Sequence, residues 1–275
     1  MEKTKVLFVS QEITPYVRET RISKIGRNLP QGIQERGREI RTFMPRYGLI
    51  NERRNQLHEV IRLSGMNLII NDTDHPLIIK VASIQSARMQ IYFIDNEDFF
   101  ARKSMLYDKN GDLFPDNDER AIFFARGVLE TVKKLRWSPD IVHCHGWFTG
   151  LVPLYLKKAF REDPLYHNSK VVYSVYNDGF KGSLNKSFIK KIVIDGIQEE
   201  DISIVKKPDY LNISKLAINM ADGIIFADEE LNKDVVKHCQ ASNKPILEYV
   251  DDNSYIDAYN TFYDKVLEFN YVENK

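Results

Sequence analysis

The sequence predicts a doubly wound α/β domain, built on a mostly parallel sheet with an inserted β-hairpin region. Apolar runs at residues 5–10, 141–145, 170–176 and 223–227 are bounded by polar residues, the pattern of strands buried on both faces. Helix-spaced segments separate them, as crossovers between parallel strands require. The chain also opens with a strand, a helix and a strand in succession, for which a right-handed crossover is the natural connection.

In chain order, Ile22, Ile25, Leu29 and Ile33 fall on one helical face after Pro15, and Gly37 ends that helix before a strand over residues 40–44 closed by Pro45. Residues 46–95 carry shorter, alternating signals at 60–63, 67–70, 77–84 and 89–94, with a turn cluster at 71–76. They predict β-hairpins at the domain edge whose last strand returns to the main sheet. A helix beginning near Asp118 buries Ile122, Phe123, Val128, Leu129, Val132 and Leu135 and stops before Pro139. Further helices are expected at 148–160, 211–220 and 229–239, while 183–208 carries no clear pattern. A strand near 245–249 and an aromatic helix over 255–269 follow; Ile256, Tyr259, Phe262, Tyr263, Val266 and Phe269 share one face, which predicts docking on the sheet. No repeat or linker divides the chain, so residues 1–275 read as one domain, with hairpins at about 46–95 and a closing strand and helix at 240–275.

Basic and acidic residues each number 39, and no basic block occurs, which removes the electrostatic reason to expect nucleic acid. No apolar run approaches the length of a membrane span and the first residues lack a secretion signal's pattern, so a cytoplasmic protein is expected. Two cysteines, Cys144 and Cys239, fit a reducing compartment. His143 and His145 alternate along one strand and share a face, yet no third ligand stands at metal-binding spacing; structural hydrogen bonding is the expected role, and no metal. In the turn at 107–112, Gly111 does not stand at the sixth place from Asp108 that a calcium loop needs, and calcium is not expected. There is no dinucleotide fingerprint, P-loop or nucleophile elbow, and no cofactor is expected.

Several motifs carry a family resemblance. Residues 5–12 followed by Pro15, then Leu29-Pro30 and Met44-Pro45-Arg46-Tyr47, resemble the opening of bacterial glycogen synthases and plant starch synthases. Asp116-Asn117-Asp118-Glu119-Arg120, the run from Trp137 through His145, and Trp147, Thr149, Gly150, Leu151, Val152 and Pro153 are similar to that family in order and spacing. The resemblance implies the N-terminal Rossmann-like half of a GT-B-like glycosyltransferase, in which glucose passes from ADP-glucose or UDP-glucose to an α-1,4-glucan within a cleft between two such domains. It also implies an α-glucan or maltooligosaccharide as ligand.

The departures fall on the family's working positions. Where the family has Lys-Thr-Gly-Gly-Leu, this chain has Arg18-Glu19-Thr20-Arg21-Ile22, so side chains stand where glycines let the backbone approach a diphosphate. Gly146 replaces an Asp, and Tyr176 a His, that contact the transferred sugar in the family. The chain's length leaves no room for the family's second domain, which supplies positive charge to the leaving diphosphate. The expectation is a synthase-like domain without autonomous catalysis, with no catalytic residue assigned. It retains at most glucan or oligosaccharide binding and weak nucleotide-sugar binding, or acts through a partner chain or a homodimer. The alternatives are an active transferase completed by another chain, and a non-catalytic scaffold. The substrate-binding candidates are Arg18, His145, Trp147, Tyr176 and Asn177. On the residues alone, Arg18 and Arg21 equally suit surface ion pairs with Glu12 or Glu19, and Tyr176 suits packing. The last helix decides much: across the carboxyl ends of the strands it would close the cleft, and elsewhere it would leave a wall for a partner.

Overall fold

The structure, a computed structural model, describes residues 3–269. Strands β1 (Lys5–Ser10), β2 (Glu39–Pro45), β3 (His58–Glu59), β4 (Met66–Ile70), β5 (Thr73–Ile84), β6 (Met89–Asp95), β7 (Ile141–His145), β8 (Lys170–Val175), β9 (Gly223–Phe226) and β10 (Ile246–Leu247) build one sheet. Its order is β10-β9-β8-β7-β1-β2-β6-β5-β3, with β4 paired to β5 off that path. Pairing is parallel from β10 to β6 and antiparallel at β5, β3 and β4. This is the mostly parallel sheet that the apolar runs predict. The chain moves from β1 outward through β2 to β6, then returns to β7 on the other side of β1. Strand order therefore reverses between β1 and β7, which opens a crevice at their carboxyl ends.

The helices are α1 (Arg21–Glu35), α2 (Glu97–Phe100), α3 (Asn117–Lys134), α4 (Leu151–Lys157), α5 (Phe188–Lys191), α6 (Glu199–Ile202), α7 (Tyr210–Met220), α8 (Lys233–Gln240) and α9 (Tyr255–Glu268). Alternation along the strands sorts them into two layers. Val6, Phe8, Ile141, Val172 and Ile225 meet Ile22, Ile25, Leu29 and Ile33 of α1 and Tyr259, Phe262, Tyr263 and Val266 of α9. Their neighbours Leu7, Val9, Val142, Cys144, Val171 and Tyr173 face the larger core that holds α3, α4 and α7. Helix α9 thus docks on the sheet beside α1, leaving the carboxyl ends of the strands uncovered. Two glycines make that fit: a Cβ on Gly32 would lie 2.6 Å from Ile256, and one on Gly223 2.5 Å from Val266. No described helix is long and apolar enough to cross a membrane.

Local departures from the sequence reading have identifiable causes. Residues 60–63 form a turn instead of a strand, because the Val60 carbonyl accepts from Leu63 and Ser64 while Ile61 points outward, 82% exposed. The reversal in the 71–76 cluster takes only Asn71 and Asp72, both left-handed at φ 51° and 59°. Asn and Asp tolerate that region, and the tight turn matches the strand twist, so β5 begins at Thr73 and runs through Pro76. Helix α8 starts at Lys233 rather than 229 because Asn232 caps it, accepting from Asp234 and Val235 N–H. The segment expected as a helix from 148 is a 3₁₀ turn at Trp147–Thr149 followed by the short α4. The last helix, expected to 269, ends at Glu268, and residues 270–275 of the closing segment lie outside the described residues.

Candidate functional site

The crevice at the switch point holds a cavity of about 330 Å³. It is built from the residues just past β1, β7, β8 and β9, roofed by Met105, Leu106 and Tyr107. Each of three strands is followed closely by a carboxylate that faces it: Glu12 after β1, Asp178 after β8 and Asp228 after β9. These acids are the functional candidates that residue-pattern reasoning missed. The signal was available as an acidic residue two or three places beyond a buried strand end.

Glu12 is 8% exposed and tied down. Its Oε2 accepts from the Thr20 hydroxyl at 2.6 Å, and its Oε1 from the Gln11 amide at 3.3 Å. Thr20 is also the N-cap of α1: its Oγ1 accepts from Ser23 N–H at 3.1 Å, while Ser23 Oγ accepts from Thr20 N–H at 2.8 Å. A helix amino terminus favours negative charge. Here the chain's own carboxylate sits against that terminus.

Arg21, at the first position of α1, lines the cavity, but its charge is taken up by the chain itself. Its Nε donates to the Ala227 carbonyl at 2.5 Å and lies 3.1 Å from Asp228, and its Nη1 meets Asp252 at 2.6 Å. The guanidinium also lies over the Tyr249 ring at 5.1 Å. The surface pairing with Glu12 or Glu19 is therefore not what forms at Arg21, and Glu19 pairs with Lys24 at 2.9 Å. Asp228 and the Ala227 carbonyl just past β9, with Asp252 ahead of α9, outcompete one flexible surface partner. Arg18 is exposed on the cavity rim, with no carboxylate within 4.0 Å among the described residues.

Gly146 has φ +86°, and the space its missing side chain leaves is filled by Gln11: a Cβ there would lie 2.3 Å from Gln11 Oε1. That same Oε1 accepts from Phe148 N–H at 3.2 Å. Trp147 is buried, and its backbone N–H donates to Asp178 Oδ2 at 2.8 Å. Asp178 is half-buried; desolvation pushes its carboxyl up to about 7 against the lowering effect of the Trp147 N–H, with Glu12 adding repulsion.

The remaining candidates divide. Tyr176 borders the cavity but is 1% exposed, with its hydroxyl hydrogen-bonded to His145 Nδ1 at 2.8 Å and its carbonyl accepting from Tyr210 Oη at 2.7 Å. Its ring packs and is not offered as a flat platform. Asn177 is exposed on the cavity wall, its N–H held by Asp228 at 2.6 Å. His145 lies behind Tyr176 and does not line the cavity; burial brings its imidazole down to about 3. Its neighbour His143 bridges Tyr263 of α9 and Ser174 of β8, each at 2.7 Å, and burial holds it well below the ordinary range. The two rings lie on one face with centroids 3.9 Å apart. Among the described residues no group of three or more His, Cys, Asp or Glu is placed to hold a metal. Cys144 faces the opposite core, where burial pushes its thiol up. The structure thus brings Arg18, Trp147, Tyr176 and Asn177 to one cavity and leaves His145 in the layer beneath.

Comparison with known proteins matches this architecture. The family model described as starch synthase catalytic domain covers residues 5–244. The glycogen synthase of Chlorobium limicola is 36% identical over 231 residues, which is 82% of this chain and 47% of that protein. The glycogen synthase of Chlorobaculum tepidum is 40% identical over 174 residues. A solved structure, the catalytic domain of starch synthase IV from Arabidopsis thaliana bound to ADP and acarbose, superposes with a TM-score of 0.73 at 16% identity, covering 92% of this chain and 53% of that one. At that identity the likeness speaks for the fold. The chain spans about half the length of the Chlorobium glycogen synthases it matches. Taken with a sheet that reverses order at β1 and β7 and a crevice at that reversal, the match over residues 5–244 establishes that this chain belongs to the starch synthase catalytic domain family.

Proposed function

We propose that this chain is a glucan-binding domain of glycogen or starch synthase type that does not transfer glucose by itself. The observation that carries the reading is the contact between Glu12 and Thr20. Transfer from a nucleotide sugar needs dipoles or positive charge on the departing diphosphate. At the amino terminus of α1 that role is opposed by a carboxylate 2.6 Å from the capping hydroxyl, and Arg21 beside it is neutralised by Asp228 and Asp252. The hydroxyls of a neutral saccharide, by contrast, are suited to Glu12, Asp178, Asn177 and Arg18 as acceptors and donors.

The test is to incubate the purified chain with ADP-glucose or UDP-glucose and a maltooligosaccharide, and to titrate the maltooligosaccharide alone by calorimetry. No elongation and a saturable heat are expected. Chain elongation by this polypeptide alone would overturn the reading, and the absence of saturable binding would favour a scaffold.

A second reading is a transferase completed by another chain or by a second copy of this one. What favours it is the position of α9 in the helix layer beside α1, which leaves the carboxyl ends of the strands open to a facing wall. Elongation that appears only on adding a separate nucleotide-binding domain would support it.

A further inference from the structure

A second cavity, of about 410 Å³, lies at the opposite end of the sheet from the crevice, between the starts of β2 and β6, the end of β5 and the last turn of α1. Its charged lining is Arg41 and Arg88, and its polar remainder is neutral: Gln34, Ser83, Gln85 and Gln90. No carboxylate lines it. Acids and bases are equal in number in this chain, and two of its other cations show how an acidic partner is taken up. Lys80 has Glu52 and Asp95, and Lys191 has Asp118 and Glu119. Arg41 and Arg88 have none within 4.0 Å among the described residues.

Arg41 is also held in advance of any ligand. Its guanidinium lies over the rings of Tyr92 at 5.8 Å and Trp137 at 5.2 Å, and Nη1 donates to Tyr92 Oη at 2.7 Å. The Nε donor is buried without a partner. A planar fork fixed in this way gives up little further freedom when it takes an oxyanion. Arg88 enters from the other wall on a left-handed residue, φ 51°, that ends the 3₁₀ turn carrying Gln85.

We propose that this cavity is an anion site for a small phosphate- or carboxylate-bearing molecule, with Arg41 as the rigid fork, Arg88 as the exposed arm and the glutamines as neutral donors. Two guanidinium groups without a carboxylate partner, over an amide-rich lining, recognise an oxyanion by charge-assisted hydrogen bonds. The site is separate from the crevice and does not depend on how the crevice is used.

The full chain can be titrated calorimetrically with inorganic phosphate, a hexose monophosphate and malonate in turn, which separates free phosphate, sugar phosphate and dicarboxylate as sources. Saturable binding of at least one is expected. In Arg88→Asn, a replacement that tolerates the left-handed backbone, it weakens about tenfold. Arg41→Lys, which keeps the charge and loses the fork, weakens it by a similar factor, and Arg54→Ala on a distant exposed turn leaves it unchanged. No saturable binding of any of the three anions would overturn the proposal. So would undiminished binding in a folded Arg88→Asn chain, or a loss that follows Arg18→Ala instead, since that would put the anion in the crevice.

Discussion

Gln11 and Gly146 fit one another: the glutamine carboxamide occupies the volume a side chain on residue 146 would need, 2.3 Å from the position of its Cβ. The oxygen that fills this space also accepts the Phe148 N–H, so the glutamine holds the turn leading to α4. Gly146 is thus coupled to a residue on a different strand end, 135 positions away. Gly146→Asp is expected to destabilise the fold by about 1–3 kcal/mol in urea unfolding, from overpacking at a backbone angle that L-residues avoid. Gln11→Ala combined with Gly146→Asp should recover part of that loss. A double variant no better than additive would break the coupling.

The Glu12 contact predicts a gain of function for an anion. Glu12→Gln keeps an acceptor for the Thr20 hydroxyl and removes the charge, and ADP is expected to bind about tenfold more tightly to this variant by calorimetry. Equal affinity in the two proteins would mean that the Glu12 charge does not oppose an anion at α1. Thr20→Ala loses the helix cap as well and should cost about 1 kcal/mol of stability.

Stability should depend on pH with opposing contributions. His143 and His145 are held below their ordinary value of 6.5, so below that pH the unfolded chain binds their protons and the folded chain does not; their contribution falls as the solution is acidified. Asp178 is raised from 3.8 to about 7, so between these values it is protonated in the folded chain and ionised in the unfolded one, and its contribution falls as pH rises. His238 is likewise held low and Asp118 likewise raised, so three histidines stand against two aspartates, and stability should rise with pH from about 4 to 6.5. Asp178→Asn should steepen that rise, measured as unfolding free energy across a buffer series. A parallel pair of curves would show that Asp178 titrates alike in both states.

The buried Tyr263 hydroxyl anchors α9 on His143. Tyr263→Phe keeps the ring and leaves a buried imidazole nitrogen unpaired, and a loss of about 1–3 kcal/mol is expected. Hydrogen exchange should show the loss concentrated in residues 255–268; a uniform loss across the chain would mean that α9 is not separately anchored.

Much of this architecture could be read from residue patterns, because strands buried on both faces and amphipathic helices write period into the chain. Residues 141–145 and 223–226 are legible in that sense, as are Ile22, Ile25, Leu29 and Ile33 along α1. The crevice was only partly legible. Arg18, Trp147, Tyr176 and Asn177 came from a family pattern, whereas Glu12, Asp178 and Asp228 lie past the strand ends, where periodicity stops. The fit of Gln11 to Gly146 and the capture of Arg21 by Asp252 join residues far apart in the chain, and no local signal announces them. Edge features failed for a related reason: the expected strand at 60–63 has too little neighbouring sheet to hold Ile61 down, so the Val60 turn prevails.

Helix α9 has a consequence in time as well as in space. It closes the face of β1, and contacts that secure it join residues more than 220 positions apart, among them Arg36 with Asp257 and Arg38 with Asp264. During synthesis Val6, Phe8, Val172 and Ile225 therefore lack their final cover until residues 255–268 have emerged. Non-local closure of this kind slows folding and prolongs the exposure of apolar surface. A nascent chain should accordingly depend on chaperones until residues 255–268 have emerged.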